Sequence, residues 1–194
     1  MLAMATVMGR LLLWLVLYAL VVPLALVQGY AVNENLFFEV LSPPDINYIF
    51  KIRPAKSFGE VFRHSFYRIN LVPTNPAESC SDLYNGEEIR GAIALIERGG
   101  CSFLSKTRVA ERFGAVAVII HDHDYKNDWQ YIDMIQDESD RTANIPAMFL
   151  LGKDGYLIKK SLQANGMPGA IISIPVNVTG VPLHHLRMPP WTLW

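Results

Sequence analysis

The chain has 194 residues, of which 51% are hydrophobic, and a formal net charge of -1 at neutral pH. This balanced charge, without a cluster of basic residues, argues against nucleic acid or an anionic membrane surface as a partner. About 165 residues follow the predicted leader described below, which suits one domain and is too few for a binding domain plus a typical peptidase domain.

Residues 1–29 are predicted to be a secretory signal peptide. Arg10 is their only charged residue, an apolar run covers residues 11–26, and the small Gly29 suits cleavage. The apolar run is slightly long for a signal peptide, so a signal anchor is the alternative. Because no later stretch is long and apolar enough to span a bilayer, we expect a secreted protein that travels through the endoplasmic reticulum and Golgi.

The first elements after the leader are predicted to be strands. Residues 36–41 and 48–52 form a hairpin around the turn Ser42-Pro43-Pro44-Asp45. Residues 67–72 show partial strand alternation, and the following loop, rich in Pro, Ser and Asn, carries Cys80.

Residues 92–120 predict a strand, a helix and a second strand. The apolar run 93–96 ends at Gly99-Gly100, Ser102 can cap the helix that follows, and 115–120 is a second apolar run. Two buried strands joined through a helix favour a parallel pair. The apolar positions of the helix recur at helical spacing, while its polar residues, Lys106 among them, fall mainly on the opposite side.

A polar segment, 121–143, separates this unit from a strand at 145–151 and a second helix. Asp154 is predicted to cap that helix, and Leu157, Ile158 and Leu162 form its apolar face. A last strand is predicted at 170–178.

Cys80 and Cys101 form an even pair, which in an oxidising compartment is most simply a disulfide; a reactive thiol is the alternative. Asn177-Val178-Thr179 is an N-glycosylation sequon. We expect Asn177 to carry a glycan, and an unused sequon is the alternative.

The segment ERGGCSFLSKTRVAERFGAVAVII resembles the central motif of protease-associated (PA) domains, in which an arginine-glycine pair and a cysteine precede a helix. The resemblance implies an α+β fold, a compact β-sandwich or open barrel of about seven strands with two main flanking helices. On this basis residues 30–180 are one PA domain and residues 181–194 a tail. Similar domains place a cysteine in the same turn, which supports the disulfide.

The segment His121-Asp122-His123-Asp124 places imidazoles and carboxylates at the end of a buried strand, and it is the candidate site for zinc or calcium. A solvated polar loop is the alternative that we favour. The spacing fits no closed structural zinc pattern and no EF-hand. If the strand continues, alternate residues point the same way, so His121 and His123 could share a metal while Asp122 and Asp124 point elsewhere. No metal or other cofactor is therefore predicted.

PA domains are commonly attached to peptidases or sorting receptors, where they contribute to substrate access or ligand recognition. The sequence lacks a G-x-S-x-G elbow, an H-E-x-x-H helix and a Gly-rich phosphate loop. The resemblance implies a secreted, non-catalytic glycoprotein that acts in protein-protein interaction with a protease or another secretory-pathway protein. It would modulate a protease or bind peptide segments of its partner in trans. A metal-dependent hydrolase that uses residues 121–124 is the alternative.

The predicted contact surface comprises Asp122, Trp129 and Arg141 in the polar loop, and it extends to the strand start at 144–146. In the tail, Trp191 and Trp194 either dock back onto the domain or anchor a partner, since exposed tryptophan is unfavourable in water and enriched at interface hot spots.

Overall fold

The structure is a computed structural model that describes residues 35–192. The predicted signal peptide and Trp194 lie outside the described residues. The described residues belong to one compact unit by their contacts. Within the described part of the chain, no helix combines the length and hydrophobicity needed to cross a membrane.

Seven strands form the framework: β1 (Leu36–Ser42), β2 (Ile49–Pro54), β3 (Phe66–Pro73), β4 (Ile93–Glu97), β5 (Ala117–His121), β6 (Ala147–Leu150) and β7 (Ala170–Ile174). In the described part of the chain, three helices accompany them: α1 (Gly86–Ile89), α2 (Phe103–Arg112) and α3 (Gly152–Ala164). Short 3-10 segments occur at Pro44–Ile46 and Leu183–His185.

The strands close into a barrel in the order β1-β2-β6-β5-β4-β3-β7. The predicted hairpin is confirmed as the antiparallel pair β1 and β2. The predicted parallel pair is confirmed as β4 and β5, which α2 connects and which align Ile93 with Ala117. Strand β7 runs antiparallel to both β1 and β3 and so closes the barrel. The α+β class and the number of strands are thus confirmed, with a closed barrel in place of a sandwich or an open barrel.

Two apolar clusters cover the two faces of the central strands. In β4, Ile93 and Leu95 belong to a cluster to which all seven strands contribute, which places it inside the barrel. Ala94 and Ile96 belong to a second cluster that includes Leu104 and Ala110 of α2. Strands buried on both faces read as continuous apolar runs, which explains why 93–96 carries no alternation.

Helix α2 confirms one predicted feature and contradicts another. Ser102 Oγ accepts the backbone N–H of Ser105 at 3.1 Å, so the predicted cap is present. Lys106, predicted on the polar side, is fully buried. Its Nζ donates to the carbonyl oxygen of Glu78 at 2.6 Å, because the cysteine-bearing loop folds over this side of the helix. A buried ammonium group needs such a partner.

Helix α3 begins earlier than predicted. Its N-cap is Leu151, and Asp154 lies inside the first turn with 3% exposure, so the prediction of Asp154 as a cap is wrong. Strand β7 ends at Ile174 and not at residue 178. Pro175 follows it and has no N–H to donate to a strand ladder.

Candidate binding surface at the ends of the central strands

The carboxyl ends of β4 and β5 meet because these strands are parallel, with Glu97 opposite His121. Arg98 and Asp122 come directly after this pair. The turn between β4 and α2 is held by the disulfide between Cys80 and Cys101, whose Cα atoms are 5.8 Å apart. The predicted disulfide is confirmed, and it braces one side of this end of the barrel.

Asp122 is the centre of a polar network. Its Oδ1 accepts from Arg98 Nη1 at 3.2 Å, and its Oδ2 accepts from Asn127 Nδ2 at 2.8 Å. His123 Nδ1 lies 3.2 Å from the same Oδ1. Burial alone would raise the pKa of Asp122, but the hydrogen bonds from Asn127 and Arg98 and the charge of Arg98 leave that pKa below its usual value. The carboxylate is therefore kept ionised.

His121 points to the other face of β5, as strand alternation requires. It is buried, and its Nδ1 lies 2.7 Å from the carbonyl oxygen of Asp122. Because a carbonyl oxygen only accepts, Nδ1 carries the proton. Burial lowers the pKa of the imidazole, which favours its neutral form. Helix α3 packs against this ring at Gly155, where a Cβ atom would collide with the His121 side chain.

The four candidate metal ligands do not converge. His121 lies under α3, Asp122 and His123 contact each other, and Asp124 Oδ1 accepts the backbone N–H of Lys126 at 3.0 Å. Between residues 35 and 192, no group of three or more His, Cys, Asp or Glu side chains is arranged to hold a metal ion.

An open groove of about 440 Å³, here called the polar groove, lies beside Asp122. It is lined by Arg98, Asp122, His123, Asp124, Lys126, Asn127, Trp129, Gln130 and Ile132. Trp129, one of these residues, is 70% exposed. Asn127 shapes the loop, because its Oδ1 accepts the backbone N–H of Gln130 at 2.9 Å. Two of the predicted contact residues, Asp122 and Trp129, are thus brought together.

Arg141 is not part of this groove. Its Nη2 donates to Asp137 Oδ2 at 2.5 Å and to Ser105 Oγ at 3.0 Å, so it ties the polar loop to the start of α2. The predicted extension at 144–146 also lies elsewhere: Asn144 and Pro146 line a separate groove of about 330 Å³ at the start of β6. The residues that were predicted to form one contact surface therefore lie on separate parts of the protein surface.

Comparison with known proteins identifies the family. Residues 68–158 match the family model of the PA domain. Over 162 residues the chain is 44% identical to the PRADC1-like protein of Drosophila melanogaster, a match that covers 82% of this chain and 83% of that protein. The chain belongs to the PA domain family.

Two longer proteins are similar to part of this chain. The human ER degradation-enhancing alpha-mannosidase-like protein 3 is 30% identical over 114 residues, which cover 57% of this chain and 12% of that protein. A zinc aminopeptidase from Bacillus subtilis matches in structure with a TM-score of 0.48 and 17% identity, over 72% of this chain and 29% of that chain. This chain spans only a small part of each.

Trp191 lies beyond the residues that the PA family model matches, and it packs against the domain. Its Nε1 donates to Asp154 Oδ1 at 2.9 Å, and Lys153 Nζ lies 4.8 Å from its ring centroid. Burial raises the pKa of Asp154 to about 6, although the Trp191 hydrogen bond opposes this. Trp194 lies outside the described residues, so its predicted contact stays a prediction.

Asn177 is exposed beyond the end of β7, and its Oδ1 accepts the backbone N–H of Thr179 at 2.9 Å. An oligosaccharyltransferase acts on such exposed sequons, but occupancy stays a prediction.

Sequence reasoning missed Arg98 and Asn127 as members of the site. Arg98 stands in the ERGG motif that identified the PA domain, and this motif was the available signal for it. For Asn127, the sequence shows only that it lies in a polar loop. Its hydrogen bonds to Asp122 and Gln130 depend on how the chain turns after β5.

Proposed function

We propose that this chain is a secreted, non-catalytic PA-domain glycoprotein that binds another protein of the secretory pathway through the polar groove. The observation that carries the proposal is the position of the exposed Trp129 beside an ionised Asp122 held by Arg98 and Asn127. A tryptophan next to fixed polar groups is typical of an interface hot spot. The charged groups supply orientation, and the indole supplies buried area when a partner covers it.

The composition of the groove supports a role in binding over one in catalysis. Asp122 and His123 contact each other, as a carboxylate and a base do in a nucleophilic triad. The residues that the structure places around the groove include no serine, threonine or cysteine to serve as the nucleophile. Binding is the activity that these side chains support.

Two observations support the secretory pathway. A disulfide persists in oxidising compartments and is rare in the cytosol. The human relative described above carries the endoplasmic reticulum in its name. We therefore expect the partner to be a protein of the secretory pathway. A protease whose access to substrate is modulated by this domain belongs to that class.

Site-specific photocrosslinking tests the proposal. A photoreactive amino acid is placed at Gln130 in the groove and, as a control, at Tyr84, which is 83% exposed and does not line the groove. The chain is secreted from cells under its own leader. We expect one protein to be captured from Gln130 and not from Tyr84, and Trp129→Ala to reduce that capture at least fivefold.

Equal capture from both positions, or capture that is unchanged by Trp129→Ala, would overturn the assignment of the groove. The same secreted material tests two further parts of the proposal. Its mass should fall after treatment with a peptide N-glycosidase and should not fall in Asn177→Gln. Stoichiometric zinc in the purified protein would favour the metal-dependent hydrolase instead.

A further inference from the structure

A second groove lies next to the polar groove and shares Lys126 with it. Its volume is about 450 Å³, and we call it the aromatic-lysine groove. It is lined by Tyr125, Lys126, Lys153, Tyr156, Leu157, Lys160 and Trp191. Three aromatic rings, a leucine and three lysines therefore line one concave surface.

The lysines lie close to the rings of the same groove. Lys126 Nζ is 5.7 Å from the Tyr125 ring centroid, and Lys160 Nζ is 5.7 Å from that of Tyr156. These distances are typical of cation-π contacts, which hold an ammonium group near an aromatic face without neutralising it. The charges are thereby kept at the groove and stay available to a ligand.

The charges at this groove are only partly compensated. Lys153 pairs with Asp128, with 2.9 Å between Nζ and Oδ2. Lys126 and Lys160 form no salt bridge with any residue in the described part of the chain. Two positive charges therefore face solvent beside apolar surface.

The rings are accessible, and one of them is fixed by the interior. Tyr125 and Tyr156 are 55% and 45% exposed, with their centroids 5.5 Å apart. Trp191 is held by its hydrogen bond to the buried Asp154. Because Trp191 lies beyond residues 68–158, the tail completes a groove that the matched part of the domain does not form by itself.

We propose that the aromatic-lysine groove binds a segment of a partner protein in which an apolar side chain is flanked by acidic residues. This inference rests on the proposed function, since it specifies the chemistry of the partner. The rings and Leu157 desolvate the apolar side chain, and Lys126 and Lys160 pair with the flanking carboxylates. A basic segment is repelled, and a neutral one leaves both ammonium groups without a partner.

The shape of the surface favours a peptide segment over an anionic membrane. A concave groove admits a protruding side chain, whereas a bilayer presents a broad surface that would leave the rings inside the groove uncovered. The chain as a whole also carries a net charge of -1, so its long-range field does not draw it to an anionic surface.

The test uses a fluorescein-labelled peptide with a central Leu-Phe pair, two glutamates on each side and Gly-Ser ends. One matched peptide has glutamine in place of glutamate, and another has serine in place of Leu-Phe. Binding to the full secreted chain is measured by fluorescence anisotropy, together with the intrinsic tryptophan emission. We expect saturable binding of the first peptide and at least tenfold weaker binding of both matched peptides.

The variant Lys126→Ala/Lys160→Ala should also bind at least tenfold more weakly. Its control is Arg63→Ala/Arg90→Ala, which changes the net charge equally at two exposed positions outside the groove and should bind like wild type. Equal affinity for the glutamine peptide, or equal losses in the two variants, would overturn the inference. Binding to phosphatidylserine vesicles in place of the peptide would overturn it too.

The two proposals fail separately. If a partner is captured from Gln130 but the acidic peptide does not bind, the inference on the aromatic-lysine groove is wrong and the proposed function stands. If the peptide binds and no partner is captured, the polar groove is the part that fails.

Discussion

Asp154 places a carboxyl group in the interior of the protein, beneath the tail. Its surroundings supply one strong polar contact, the hydrogen bond from Trp191 Nε1. Burial disfavours the charged form, so the pKa in the folded protein is about 6, above the ordinary value of 3.8. The folded state therefore binds a proton more tightly than the unfolded chain does. The stabilising contribution of Asp154 is complete below about pH 4 and is lost as the pH rises through about 6.

Replacement of Asp154 by Asn should raise the free energy of unfolding at pH 7. The amide oxygen can still accept from Trp191, and the cost of ionising a buried carboxyl group disappears. A difference of two pKa units corresponds to about 3 kcal/mol, which is the upper limit of the expected gain. Urea unfolding at pH 4.0, 5.5 and 7.0 measures it, with Asp140→Asn, at an exposed position, as the control. If the difference in the free energy of unfolding between Asp154→Asn and wild type does not change with pH, the raised pKa of Asp154 is contradicted.

Helix α3 depends on two close approaches that no local signal in the sequence marks. A Cβ at Gly152 would collide with the backbone of Asp124, and one at Gly155 would collide with the ring of His121. Because the helix must lie close to the end of β5, it begins at Gly152, and Asp154 is carried inside. An acidic residue near a helix start normally indicates a cap, so here a tertiary contact overrides the local pattern.

Gly155→Ala tests this packing. Alanine is the better helix former by about 1 kcal/mol, so a gain in stability would be expected if space allowed it. We expect a loss of about 1–3 kcal/mol instead, because the added methyl group overpacks the contact with His121. A double-mutant cycle with His121→Ala should show a favourable coupling, since the smaller side chain makes room. If chemical denaturation shows that the two losses in the free energy of unfolding are additive, the methyl group at position 155 does not clash with His121.

The elements that the sequence predicts well are those whose signals are local. The hairpin of β1 and β2, the unit from β4 to β5 and the Ser102 cap each arise from a contiguous pattern. The prediction that Lys106 faces solvent was wrong because the loop that carries Cys80 covers that side of α2. This loop lies outside the helix in the sequence, so the helical spacing does not reveal the contact. The sequence predicted part of the polar groove, because it marked Asp122 and Trp129 as contact residues. The aromatic-lysine groove joins Tyr125 to Trp191, and residues so far apart in the sequence meet only once the barrel has closed.

At the scale of the whole molecule, the disulfide adds a covalent link between a loop and the start of a helix, both of which lie outside the barrel strands. Cys80 lies in the loop after β3, and Cys101 precedes the Ser102 cap of α2, with a sequence separation of 21 residues. Beneath them, Lys106 Nζ donates to the carbonyl oxygen of Glu78 and lies 3.4 Å from Cys80 Sγ. If the loop leaves the helix, this ammonium group loses its partner. The covalent link and the buried lysine therefore depend on each other.

Cys80→Ser/Cys101→Ser should lower the free energy of unfolding by about 3 kcal/mol, the amount expected when a loop of this length is no longer closed in the unfolded chain. Equilibrium unfolding in urea measures the loss, and wild-type protein treated with a reductant should match the variant. The aromatic-lysine groove is formed by α3, the tail and the loop after β5, and it does not include the loop that carries Cys80, so the folded variant should bind the acidic peptide like wild type. A loss much larger than 3 kcal/mol would show that Lys106 becomes unpaired as well, and Lys106→Met in the same background should then restore part of the stability. No loss at all would mean that the contact between Lys106 and Glu78 is sufficient to hold the loop on the helix.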